Sequence, residues 1–192
     1  ECGMLPGELR VEMKKSISLL LILLSWQPVV ADVTDAAANG FTTVNEVVVA
    51  ASRAEAWNAA LDVAKWWSSD HTISGDAGRL SIDARLQGCF CETLGGEAGV
   101  VHLVVTSVMP ETSLRLTGGL GPIGLMGADG NMTWDFEDTD TGTRVRMTYA
   151  VGGYMVGGMD QIAGAVDSVL GEALSRLKAY IDTGNPEPAP VD

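Results

Sequence analysis

Basic residues are scarce in this chain: 12 Lys and Arg stand against 25 Asp and Glu across 192 residues, for a formal charge of −13. The first 31 residues hold three of each sign, so residues 32–192 carry the whole excess. A surface this acidic repels phosphate backbones, which excludes nucleic acid as the expected partner. No apolar run reaches the ~20 residues a spanning helix needs, so stable membrane insertion is not expected. Catalytic signatures are also missing. There is no G-x-S-x-G nucleophile turn, and the glycine-rich stretch Gly118–Gly130 lacks the Lys-Ser/Thr and following helix of a phosphate cradle. There is no internal repeat. Charged residues make up 19% and apolar ones 46%, which a disordered polymer does not match; the length suits one domain with a single core.

The first segment reads as an address. From Met13 the chain runs Lys14-Lys15, then an apolar stretch Ile17–Leu24, then Pro28 and Ala31 before Asp32. A basic start, a short apolar centre and a small residue at the boundary are the pattern of a secretory signal, with cleavage expected after Ala31 and export to the periplasm or beyond. Residues 1–31 are therefore taken as an upstream extension and signal peptide, and 32–41 (DVTDAAANGF) as a flexible lead-in. The domain proper is expected over 42–183, and 184–192 (GNPEPAPVD) as a disordered tail.

Within 42–183 the pattern is mixed. Thr42–Ala51 is rich in β-branched residues and predicts a strand. Ser52-Arg53-Ala54-Glu55 is a capping box that starts a short helix through Leu61, with another turn or two over 62–67. Short strands follow at Leu80–Ala84, Cys89–Thr93, Val100–Met109 and 113–117. The clearest hairpin joins Asn131–Asp138 to Thr143–Val151. Setting Asp138 opposite Thr143 pairs Glu137 with Arg144 and Asp135 with Arg146 on one face. The same register sets Phe136, Trp134 and Met132 against Val145, Met147 and Tyr149 on the other, and a slip of one residue destroys both patterns. Apolar residues at helical spacing from Met159 to Ile181 predict a long amphipathic helix, with Glu172–Arg176 as an i,i+4 pair and Gly184 as its stop. The layout is α+β: a curved antiparallel sheet that one helix covers only in part, so that the rest closes over side chains or a cavity.

The residues Val44–Ala51, Ser52–Trp57, Lys65-Trp66-Trp67, Gly88–Glu92, Val108-Met109-Pro110 with Leu114-Arg115-Leu116, and Gly142–Val145 stand in a familiar order. Together they resemble the SRPBCC or START-like superfamily, nearest its polyketide-cyclase-like and chaperone-ATPase-activator-like branch, over about Val44 to Ile181. The resemblance implies a helix-grip fold, with about seven strands around the C-terminal helix, two short helices after the first strand, and an apolar cavity between sheet and helix. It also implies a hydrophobic or aromatic small molecule such as a lipid or polyketide as partner, with no cofactor. A signal peptide departs from most of that branch, since export removes both a chaperone partner and ATP.

Candidate ligand-binding residues are Trp66, Trp67, Phe90, Glu92, Trp134, Tyr149, Tyr154 and Met155, because aromatic walls with a few polar tips suit a flat apolar ligand. Trp66 and Trp67 are adjacent on a short helix, so only one of the two is expected to face inward. Glu92 shares a strand face with Phe90; turned inward, it would need a partner, and with His71 or His102 it would form an acid–base pair for a cyclase, isomerase or hydrolase. If Phe90 pairs with Val101, Cys89 lies opposite His102, and Cys89, Cys91 and His102 gather as a metal site, although the usual zinc spacing is absent. A slip of one residue instead sets Phe90 opposite His102 and Glu92 opposite Val100, and the sequence leaves both open. Otherwise the two cysteines are small half-buried hydrophobes, since a disulfide across one residue closes a very small ring. Gly118–Gly130, with six glycines in thirteen residues, is expected to be a mobile apolar loop over the cavity mouth, and the glycine pairs at 152–153 and 157–158 a hinge before the last helix.

Overall fold

Strand-forming segments dominate the chain, interrupted by one short helix near the start and closed by one long helix at the end. The structure, a computed structural model, describes residues 30–188. The signal peptide read over 1–31, except for Val30 and Ala31, and the last four residues of the tail lie outside the described residues. In chain order the elements are β1 (Val30–Ala37), β2 (Gly40–Val49), α1 (Arg53–Leu61), β3 (Leu80–Ile82), β4 (Cys89–Gly95), β5 (Ala98–Met109), β6 (Ser113–Thr117), β7 (Gly127–Thr139), β8 (Gly142–Tyr154) and α2 (Asp160–Thr183). Short 3-10 turns at Val63–Lys65, Ser69–His71, Ala77–Arg79 and Gly121–Leu125 fill the connections.

The strands form one unclosed antiparallel sheet in the order β1-β2-β8-β7-β6-β5-β4-β3, curved around α2 in a helix-grip arrangement. It has eight strands where about seven are expected. The additional one is β1, which takes in the last two residues of the segment read as signal peptide and Asp32–Ala37 of the stretch read as a flexible lead-in, whose final residues, Gly40 and Phe41, begin β2. Its residues pair antiparallel with β2, from Val30 opposite Glu46 to Ala37 opposite Gly40. Thr34 and Ala36 are weakly apolar, so pattern reading finds no buried face there; the edge of β2 supplies the missing hydrogen bonds.

The β7–β8 hairpin has the expected register throughout, with Asp138 opposite Thr143, Trp134 opposite Met147 and Met132 opposite Tyr149. Its apolar face is sealed, with Met132, Trp134, Phe136, Val145, Met147 and Tyr149 all buried. On the polar face Glu137 accepts from Arg144 at 2.9 Å. Arg146 lies opposite Asp135 but directs its guanidinium to Glu46 on β2, at 2.8 and 3.0 Å, because two donors of the fork reach one carboxylate oxygen there.

The capping box forms as read, the Ser52 hydroxyl accepting from the Glu55 N–H and the Glu55 carboxylate from the Ser52 N–H. Helix α2 ends at Gly184, which holds the left-handed conformation (φ 78°) that glycine adopts without steric cost. Glu172 and Arg176 do not pair: Arg176 donates to the Trp66 carbonyl and to Glu187, in the segment read as tail, while Glu172 meets His71. A buried carbonyl is a better-defined acceptor for a guanidinium than an exposed neighbour one turn away.

Helix α2 is bolted to one side of the sheet. Lys178 Nζ donates to the Val48 carbonyl (2.7 Å), the Ala50 N–H to Asp182 (2.9 Å), and Asn45 Nδ2 to Asp167 (3.0 Å). All three anchors lie on or just after β2, whereas β4 and β5 stand four or five strands away in the sheet order. The helix therefore cannot cover that far half, and the turns between α1 and β3 close over it instead.

Candidate functional site

A pocket of about 400 Å³ opens where α2 leaves the far half of the sheet. Its floor is Phe90 of β4, His102 of β5 and Leu80; one wall is Ile162, Val166, Val169 and Leu170 of α2. The other two walls are loops: Trp67 to Ile73 on one side, and Leu120 to Met126 on the other.

Each loop wall is tied down by a buried polar group on the sheet. Tyr149, fully buried, donates its hydroxyl hydrogen to the Gly118 carbonyl (2.8 Å) and accepts from the Leu120 N–H (3.0 Å). Burial pushes its phenol up to about 12, so it remains a neutral donor. Gly118 begins this loop at φ 142°, and a Cβ there would lie 2.6 Å from the His102 carbonyl oxygen, so only glycine lets the chain cross β5 so closely. The stretch read as a loop over 118–130 is in fact a 3-10 turn, Gly121–Leu125, followed by the first residues of β7.

The opposite wall hangs on Glu92. Its carboxylate, 1% exposed, accepts hydrogen bonds from the Ile73 N–H (3.1 Å), the Ser74 N–H and His102 Nε2 (3.0 Å). Burial by itself raises the carboxyl, but the hydrogen bonds from Ser74, Ile73 and His102 outweigh it and bring the group down to about 2. Glu92 is therefore charged at neutral pH, an anchor for the Ile73 and Ser74 amides. The linkage sign follows. A carboxylate at about 2 in the folded state and near 4.5 in the unfolded chain stabilises the fold above 4.5 and loses that contribution as pH falls toward 2. Urea unfolding midpoints should fall across that window by up to roughly 3 kcal/mol of stability, and Glu92→Gln should remove this part of the pH dependence.

A β-bulge assembles the Glu92–His102 pair. Cys89 faces Val104 and Phe90 faces Leu103, but Cys91 faces Val101, leaving His102 as the extra residue on β5. Two successive residues, His102 and Leu103, thus point inward, which no alternating register allows. Of the two registers open from sequence, the one that sets Glu92 opposite Val100 holds from Cys91 to Thr93, and neither holds at Cys89 and Phe90. The gathering of Cys89, Cys91 and His102 does not occur. Both cysteines lie on the other face from Phe90 and Glu92, joined to each other in a disulfide with Cα atoms 5.4 Å apart, and His102 bonds to Glu92. A disulfide sulfur is not a thiolate ligand, and among the described residues no group of three or more His, Cys, Asp or Glu is placed to hold a metal. The pairing across one residue also corrects the expectation of two free half-buried cysteines.

Of the other candidates, Trp67 and Phe90 line the pocket, their rings 5.5 Å apart edge to face. Both adjacent tryptophans are buried, at 0% for Trp66 and 4% for Trp67, contrary to the expectation that only one faces inward. The 3-10 turn ends at Lys65 and the backbone leaves helical φ at Trp66 (φ −129°, ψ −19°), so the indoles splay into neighbouring parts of the core. Trp66 packs toward Trp134 and donates Nε1–H to the Ala59 carbonyl; Trp67 donates to the His71 carbonyl. Trp66, Trp134 and Tyr149 are core and loop supports set back from the pocket surface. Tyr154 is 71% exposed at the end of β8, and Met155 packs at the edge of the core, so neither joins the site. His71 stands at the mouth with Nε2 2.9 Å from Glu172, linking the loop to α2. Pattern reading missed Ile73 and Leu80 as wall residues; the only signal for Ile73 was an apolar residue stranded in a polar loop.

Comparison with curated proteins finds no match. Among solved structures, the chain is similar to the conserved protein EF2215 of Enterococcus faecalis (TM-score 0.56, 13% identity, covering 85% of this chain and 82% of that one). It is also similar to CalU16 of Micromonospora echinospora (0.54, 17%, 84% and 88%) and to protein Ms6760 of Mycobacterium smegmatis (0.51, 16%, 79% and 98%). At these identities the likeness is one of fold. The family model for polyketide cyclase / dehydrase and lipid transport proteins matches residues 41–182, the sheet from β2 onward and nearly all of α2. With the curved eight-stranded sheet around its terminal helix, this match shows that the chain belongs to the polyketide cyclase / dehydrase and lipid transport family.

Proposed function

We propose that the protein is an exported carrier or sensor of an apolar or aromatic small molecule, bound in the pocket between α2 and the β4–β5 hairpin. The observation that carries this reading is the pocket itself. At about 400 Å³ it falls in the size range of small-molecule sites, and its surface is mostly Trp, Phe, Leu, Ile, Val and Met with a few polar groups. Family membership supports a hydrophobic ligand. Export is supported by the leader pattern ending at Ala31, and the Cys89–Cys91 disulfide suits an oxidising compartment. No helix among the described residues is long and apolar enough to cross a membrane. The carrier reading is preferred to the enzyme reading because Glu92, the buried carboxylate behind His102 of the pocket floor, is committed to three donors.

One experiment tests both parts. The full chain, expressed with its leader in a bacterial host and recovered from the periplasm, is weighed intact by native mass spectrometry and again after denaturation. The expected result is a polypeptide beginning at Asp32 with a co-purifying or exchangeable apolar molecule at one per chain. A protein retaining its leader in the cytoplasm would refute export. Failure to take up any of a panel of fatty acids, sterols and polycyclic aromatics would refute the carrier reading.

A further inference from the structure

On the face of β4 that points away from the pocket, the Cys89–Cys91 disulfide joins two residues of a single strand. Disulfides stabilise chiefly by closing a loop of the unfolded chain, and more so for longer loops. This one encloses only Phe90, on a strand already hydrogen-bonded to β3 on one side and β5 on the other. It therefore ties together nothing that the ladder does not already hold. It also works against the ladder. An extended strand spans about 6.6 Å over two residues, whereas these Cα atoms are held 5.4 Å apart. The pairing of β4 with β5 is interrupted between Phe90 and Cys91, inside the ring that the bond closes. The pair is within reach of solvent. Both cysteines are half-buried, and the residues directly opposite Cys91 are Ser81 of β3, exposed, and Val101 of β5, 58% exposed.

We propose that Cys89–Cys91 is a thiol–disulfide exchange site that oxidises an accessible dithiol. One thiol of the dithiol gives its proton to water, and its thiolate attacks the Cys91 sulfur. The S–S bond breaks, a mixed disulfide forms on Cys91, and Cys89 leaves as a thiolate that takes up a proton. The second thiol, deprotonated in turn, attacks the sulfur of its own partner in the mixed disulfide. That closes the dithiol into a disulfide and releases Cys91, which is then protonated. Two electrons and two protons have passed from the dithiol to the pair. Cys91 is the sulfur attacked because both its cross-strand neighbours are exposed, while Val104 opposite Cys89 is half-buried. Reduction lets the two Cα atoms return to full strand spacing, which favours the thiol form and makes the pair an oxidant. The strand keeps its place meanwhile, because Phe90 packs on Trp67 and Glu92 holds the Ile73 and Ser74 amides on the other face. The exchange takes place across the sheet from the pocket and does not depend on what the pocket holds.

The test uses the full chain with Cys2→Ala, so that Cys89 and Cys91 are its only cysteines, after treatment with oxidised glutathione. Dithiothreitol should reduce the pair in the native protein within about tenfold of the rate in urea-unfolded protein, read by alkylation and intact mass. A bond guarded by the fold would react only through opening, on the order of a thousandfold slower or more. Millimolar reduced glutathione leaves the structural disulfides of secreted proteins intact. Here it should convert most of the pair to thiols, while circular dichroism remains that of the folded protein. Adding Cys89→Ala and Cys91→Ala should leave that spectrum unchanged and abolish the oxidation of dithiothreitol. The proposal is overturned if reduction requires unfolding, if the bond persists in excess glutathione, or if oxidised glutathione leaves two free thiols. Failure of the alanine variant to fold overturns it as well, since the bond would then be a staple.

Discussion

Glu92→Ala should destabilise the protein by roughly 3–5 kcal/mol, the range for deleting one member of a buried charged pair. The physical reason is the number of donors it strands. The Ile73 and Ser74 amides and His102 Nε2 would all lose their acceptor at once, in a place where water reaches poorly. Loss of this anchor should also release the segment from Trp67 to Ser74, so the pocket would lose a wall as well as the fold losing stability. Glu92→Gln retains one acceptor oxygen and nearly the same shape, and should cost about 1–2 kcal/mol. Urea unfolding followed by tryptophan fluorescence measures both, and amide hydrogen exchange over 67–76 reports the loop. If alanine and glutamine cost the same small amount, the carboxylate is not the anchor described here.

Val166→Trp should weaken pocket binding roughly 100-fold while leaving the fold intact. Val166 sits on the α2 wall, half-buried, and lines the pocket at the edge of the core. An indole placed there occupies the space a bicyclic ligand would use. Losing contact to about three ligand atoms, at ~1 kcal/mol each for a small ligand, weakens binding roughly 100-fold. The pocket has room for the larger ring, so the unfolding midpoint should stay the same or rise. Ser168→Trp, two residues along on the exposed side of the helix, is the control and should bind as the wild type does. Equal binding by both variants would place the ligand elsewhere.

Much of the architecture could be read from the chain because it depends on local rules. The β7–β8 register was legible because Glu137 and Arg144 on one face and Trp134 and Met147 on the other satisfy a single alignment. The capping box at Ser52 and the stop at Gly184 are likewise decided within a few residues. Strand β1 was not legible. Asp32–Ala37 carries no alternation of its own and becomes a strand through the open edge of β2. The β4–β5 hairpin was ambiguous for a related reason. Strict alternation offers two registers, and the bulge at His102 is a third that only the packing of Leu103 and His102 against the same floor selects.

The candidate site divides along the same line. Trp67, Phe90, Glu92 and His102 were recognisable as residues of interest from type and position, but their partners lie ten or more residues away in sequence or on other elements. What the amino-acid order determined alone was the set of elements from β2 onward, the long terminal helix and the acidic composition, because these follow from periodicity and charge counted along the chain. What the tertiary structure alone decided was which tryptophan meets the pocket, that Cys89 and Cys91 bond to each other, and that Glu92 holds the Ile73 and Ser74 amides. Those outcomes depend on which donors, rings and strand edges converge in space, and α2, held to β2 at one side, leaves the far half of the sheet for them to meet.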